Sequence, residues 1–409
     1  MSRQDALLKR QSSRIKFKNE DMDFALSWVL GIGQIIGMGP GEVLATASTI
    51  RDGDPRSWRA AFQRQGDHLS QLADTFDREG NPEAAGHCAF GATYARRASL
   101  HFADPASSTW NSTVAAMERE FERGATRWSI PVRAVSVPFE GHSLPGYYLE
   151  STERSRPTLL VIGGGDTFRE DLFYFGGYPG WQRGYNVLLV DLPGQGNTPA
   201  SGLTFRADAA EPISACLDWL AANSRFDSSQ IAVQGLSGGG YLTAQAVAVD
   251  PRINAWIAST PITDVGLVFE REMGAALRTP GWLIDFAAGI IGKVSDLRNV
   301  VQKKYAWQFG SSSLAEVARR VRAEAPVVAP GSIDCPALFL LGDGEAAELK
   351  RQTTALASAM RAAGHDVTVR RFCREEGDAH CQVNNLRLAH LVMFDWLDRV
   401  FGVPTGGED

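Results

Sequence analysis

The chain has 409 residues, 44% hydrophobic and 22% charged, an ordinary make-up for a soluble globular protein. That length suggests one large domain plus a smaller one. The net charge of −6 argues against a nucleic-acid partner. Five scattered cysteines without a CxxC pair (Cys88, Cys216, Cys335, Cys373, Cys381) read as reduced thiols in a cytoplasmic protein rather than a disulfide framework.

The N-terminus is polar and lacks the apolar core of a signal peptide. The stretch "FALSWVLGIGQIIGMG" at 24–39 is apolar but falls short of the roughly 20 residues that span a bilayer, so it reads as buried and no membrane is expected. Residues 20–128 have a helical texture with no clear period-2 strand. Asp54-Pro55 opens one helix, with Trp58, Phe62, Leu69, Leu72 and Phe76 near helical spacing, and Asn81-Pro82 caps the next. A third helix is expected near 107–124; the paired helices resemble a tetratricopeptide unit, but no fixed repeat period supports an array.

After Pro131 the texture alternates. "VRAVSVPF" and "LPGYYLE" read as paired strands turning at Glu140-Gly141-His142. "PTLLVIGGG", "YNVLLVDLPGQG", "QIAVQGLSGGG", "INAWIASTP", "PALFLLGDGE" and "DVTVRRFC" then read as strands, mostly short continuous apolar runs of the kind buried on both faces. Helical stretches lie between them, and "NNLRLAHLVMFDWLDRVFG" closes the chain as a helix. The expected fold is α/β, a mostly parallel sheet with helices on both faces. A helical N-terminal cap over 1–130 precedes a catalytic domain over 131–409, and a helical lid interrupts it at 261–330. The cap's large apolar side chains predict that it closes over the active-site mouth.

Gly235-Leu236-Ser237-Gly238-Gly239 fits G-x-S-x-G between a buried strand and a helix, the context of a nucleophile elbow. A Walker loop would need a lysine where Tyr241 stands. Chain order in this architecture is serine, acid, histidine. His380, in the loop after the last strand, is the candidate base, while His390 falls inside the terminal helix among apolar residues. The acid is expected just past "PALFLLG": Glu345 ahead of Asp343, with Asp378 third. Gly238 would supply one oxyanion N–H, and Gly165 or Asp166, in the glycine-rich turn "VIGGGDTFRED", the second. A metal site of His380, Cys381 and Cys373 lacks a fourth ligand at standard spacing, so neither metal nor cofactor is expected.

These residues resemble the α/β-hydrolase superfamily, and in particular its branch with an N-terminal helical domain. "IGGGDTFREDLFY", "DLPGQGNTP", "GLSGGGYL" and "EEGDAHCQVNNLRLAHLVMFDWL" carry the likeness over nearly the whole chain. That branch includes 2,6-dihydroxypseudooxynicotine hydrolase, fungal polyketide-shortening pigment hydrolases and fermentation-respiration switch proteins. The resemblance implies Ser237 as nucleophile, His380 as base, a homodimer, and a further carboxylate with Glu140, Glu150 and Glu170 as candidates. The expected activity is hydrolysis of an ester, or of a carbon–carbon bond next to a carbonyl, in a mid-sized, partly aromatic or polyketide-like small molecule. An acyltransferase or cyclase would use the same acyl-serine chemistry, and a regulatory protein that has lost turnover is the third reading.

Overall fold

A computed structural model describes residues 9–152, 156–223, 229–273 and 296–403. The chain divides into two compact units. Met1–Val132 and Phe269–Ala323 form one, and Arg133–Val268 and Glu324–Asp409 form the other. Residues 274–295 of the expected lid lie outside the described residues.

The first unit is helical: α1 (Glu20–Gly33), α2 (Pro40–Ser48), α3 (Pro55–Arg78), α4 (Pro82–Leu100) and α5 (Trp110–Arg127). Proline at the first helical position and an Asx cap start both long central helices. Asp54 accepts from the Arg56 and Ser57 amides, and Asn81 from Ala84. Helix α4 is buried on nearly every side, so its residues are small where neighbours come close: a Cβ on Gly86 would run into the Trp128 indole. Helix α1 contains most of the apolar stretch at 24–39, with Phe24, Leu26, Trp28 and Ile32 buried. Among the described residues no helix is long and apolar enough to cross a membrane. The chain before α1 is strapped down by Asp23, which is 1% exposed and accepts from the Ile15, Lys16 and Phe17 amides.

The second unit begins with a hairpin of β1 (Val132–Phe139) and β2 (His142–Leu149), whose turn puts Glu140 and Gly141 at positive φ. It continues through β3 (Thr158–Ile162), the short helices α6 (Arg169–Leu172) and α7 (Tyr178–Gln182), β4 (Asn186–Val190), α8 (Ala210–Asn223), β5 (Ile231–Leu236), α9 (Gly238–Val247) and β6 (Ala255–Ser259). Helix α10 (Val265–Met273) leads into the first unit's α11 (Asp296–Gln308) and α12 (Leu314–Glu324). The sheet unit resumes with β7 (Ala337–Gly342), α13 (Ala347–Ala362), β8 (Val367–Phe372) and α14 (Leu386–Phe401).

The eight strands lie in the order β1-β2-β4-β3-β5-β6-β7-β8, with β2 antiparallel to β4 and parallel pairing from β4 through β8. Every residue of β3 to β7 is buried, as the continuous apolar runs require. After β3 the chain moves to one side for β4, then crosses back for β5. The carboxyl ends of β3 and β5 therefore flank a topological switch point, where open α/β sheets hold their ligands.

Candidate active site

Ser237 sits at that switch point, between β5 and α9, with φ 56° and ψ −123°. A non-glycine residue there costs about 1–3 kcal/mol and persists only when its surroundings enforce it. The neighbouring backbone does so. A Cβ on Gly235 would meet Thr243 Oγ1 and the Gly239 carbonyl, and one on Gly239 would meet the Gly163 and Ile162 carbonyls. The Ser237 amide donates to the Ser259 carbonyl at 2.6 Å. The glycines thus let β3, β5 and α9 close around the turn, leaving Ser237 partly exposed.

The loops after β7 and β8 are held together, which brings the other two side chains to Ser237. The Gly344 amide donates to the Asp378 carbonyl at 3.1 Å, and the Asp343 amide to Phe372 at 3.0 Å. A carboxylate only accepts, so His380 Nδ1 carries a proton and donates to Glu345, 2.9 Å from Oε1 and 2.8 Å from Oε2. In the neutral ring Nε2 is then left to accept the Ser237 hydroxyl at 2.7 Å. Glu345 is 1% exposed and His380 6%. Burial works against the imidazolium, but Cys381 and Glu345 beside it more than offset this, so the His380 pKa is held well above its ordinary value.

Asp343 turns away to pair with Arg371 at 2.7 Å, its side chain 39% exposed. Asp378 is buried and contributes its carbonyl to the loop contact. His390 is buried in α14, where desolvation first of all depresses its pKa to about 3. Glu140 pairs with Arg206 on the surface, and Glu150 is exposed. Glu170 is buried and accepts from the Tyr147 hydroxyl at 2.8 Å.

The turn after β3 faces the elbow. A Cβ on Gly164 would lie 2.7 Å from Ser237 Cβ and 3.1 Å from the Gly238 nitrogen, and one on Gly238 would lie 3.5 Å from the Gly165 nitrogen. The Gly165 and Gly238 amides therefore stand side by side at Ser237, and Gly238 also opens α9, whose N-terminal end favours negative charge. Asp166 follows in the same turn, half-buried. In the sequence Cys381 figured only as a candidate metal ligand; its thiol donates at 3.0 Å to the same Ser259 carbonyl that holds the Ser237 amide. Its adjacency to His380 was the available signal. His380 engages both its ring nitrogens within the protein, so the alternative metal role finds no support in its bonding.

Sheet order, elbow and loop placement define the class: this is an α/β-hydrolase enzyme. Residues 178–403 match the prolyl oligopeptidase family, and the chain belongs to that family. It is 30% identical to Hydrolase LUC6 of a Fusarium species, over 95% of this chain and 98% of the relative. It is 28% identical to the 20-hydroxy-prefusarin hydrolase FUS2 of Gibberella moniliformis, again over 95% and 98%. Among solved structures it is similar in fold to 2,6-dihydroxy-pseudo-oxynicotine hydrolase, with 19% identity and a TM-score of 0.67 over 90% of this chain and 95% of that one. AbyA5 is similar too, with 19% identity and a TM-score of 0.64 over 89% and 90%.

Proposed function

We propose that the protein is a serine hydrolase that cleaves an ester, or a carbon–carbon bond next to a carbonyl, in a mid-sized, partly aromatic or polyketide-like small molecule. The observation that carries this is the unbroken hydrogen-bonded chain from Ser237 Oγ through His380 to Glu345. In this reading Ser237 Oγ attacks the carbonyl carbon while its proton passes to His380 Nε2. The oxyanion accepts from the Gly238 and Gly165 amides, with Asp166 as the alternative second donor. Collapse breaks the bond to the leaving oxygen or carbon, which takes the proton from His380. Water, deprotonated by His380, then attacks the acyl-serine; the acid leaves and Ser237 regains its proton. Glu345 orients the ring and stabilises the imidazolium throughout.

The substrate class draws support from relatives that bear hydrolase names, one of them specifying 20-hydroxy-prefusarin. Ser237→Ala tests the reaction. Hydrolysis of an activated ester falls by roughly four orders of magnitude, as on triad loss elsewhere, with the folded state intact by circular dichroism. Retention of most activity would remove Ser237 from the reaction. Running the wild-type reaction in isotopically heavy water and analysing the products identifies the bond cleaved and whether water is the acceptor.

A further inference from the structure

We propose that Gln195 is a positioning residue that aims the Gly165 amide at the developing oxyanion. This rests on the serine-hydrolase reading above. Gln195 lies in the loop after β4, between Gly194 and Gly196, and is 0% exposed. A primary amide enclosed this way is costly unless its polar atoms are paired. Here Oε1 accepts from the Leu192 amide at 3.0 Å, which orients the head group. Nε2 donates to the Gly163 carbonyl and, at 3.3 Å, to the Gly164 carbonyl. Thr167 Oγ1 donates to that same Gly164 carbonyl at 3.3 Å, and the Gly196 amide donates to the Thr167 carbonyl at 3.0 Å.

The Gly164 carbonyl and the Gly165 N–H belong to one planar peptide. That peptide is trans, so oxygen and hydrogen point in opposite directions. Two donors anchoring the oxygen therefore fix the line of the N–H, whose nitrogen neighbours Gly238. They also polarise the peptide and strengthen its N–H as a donor. A glycine triplet has no side chains of its own to resist rotation. The rigidity of this turn must come from outside, and Gln195 and Thr167 supply it.

The test measures kcat and KM for a p-nitrophenyl ester, and inhibition by a phenylboronic acid that mimics the tetrahedral intermediate, in Gln195→Met and Thr167→Val. Deleting a whole oxyanion donor costs about a hundredfold to a thousandfold, so loosening one should cost on the order of tenfold to a hundredfold in Gln195→Met. KM stays within twofold, boronate affinity falls by the same factor as kcat, and Thr167→Val moves both in the same direction by less. Values of kcat and boronate affinity within twofold of wild type in Gln195→Met, alongside an inactive Ser237→Ala, would overturn the positioning role and leave the hydrolase reading standing. Should Gln195→Met fail to fold, an unchanged kcat in Thr167→Val overturns it instead. An active Ser237→Ala would remove the hydrolase reading and the proposal with it.

Discussion

Glu345 and Asp343 are two residues apart and chemically alike, yet only Glu345 reaches His380 while Asp343 pairs with Arg371. Spacing after the strand put Glu345 ahead in the sequence, because it is third after Gly342, where the acid usually falls in this architecture. The separation has a kinetic signature. Glu345 favours the imidazolium, so the base is neutral only above a raised pKa, and kcat/KM should climb with pH along a limb lying above the ordinary 6.5. Glu345→Gln removes that stabilisation, so the limb moves to lower pH while the plateau falls by about a hundredfold or more. Asp343→Asn should leave both nearly unchanged. A pH–rate profile of the two variants checks this, and a crippled Asp343→Asn would reverse the roles. Gln195 and Cys381 stand within the stretches that carry the family likeness, but what they touch was not legible in the sequence, because their contacts join residues far apart in the chain.

The buried strands were legible because each is a short continuous apolar run, and α3 and α4 because proline and Asx residues mark their starts. The strap before α1 was not, since its order comes from carboxylates meeting backbone amides, Asp23 on residues 15–17 and Asp52 on Lys18 and Asn19, rather than from any periodicity. Asp23→Ala leaves its three donors without that acceptor, and the buried Phe17 amide left unpaired should cost about 1–3 kcal/mol. Hydrogen exchange at Ile15, Lys16 and Phe17 should accelerate well beyond that of α3. Equal protection in the variant would mean that Asp23 does not hold the strap. At the elbow, Gly239→Ala drives a Cβ into the Gly163 and Ile162 carbonyls. It should cost roughly 1–3 kcal/mol by overpacking and lower kcat together with the melting temperature. A variant with wild-type stability would show that the turn has more room than its glycine implies.

Strand-and-helix alternation marked the sheet unit in the sequence, but nothing in the residues 269–323 announces that they group with the N-terminal helices. Periodicity shows that a helix has an apolar face without showing what covers it. Trp307 on α11 meets Trp110 edge to face with ring centroids 5.5 Å apart, Lys304 Nζ donates to the His101 carbonyl at 2.9 Å, and Lys303 pairs with Asp104 at 3.0 Å. A chain truncated to begin at Pro131 strips those partners away and should aggregate on purification; light scattering from a soluble, monodisperse, fully active truncation would show that this helical unit is dispensable. The hydrolase reading as a whole meets its most direct test in peptide mapping after reaction with a fluorophosphonate. A single adduct on Ser237, formed in the wild type and lost in His380→Ala, is the expected result. No adduct, or one on another residue while ester hydrolysis continues, would show that Ser237 is not the nucleophile.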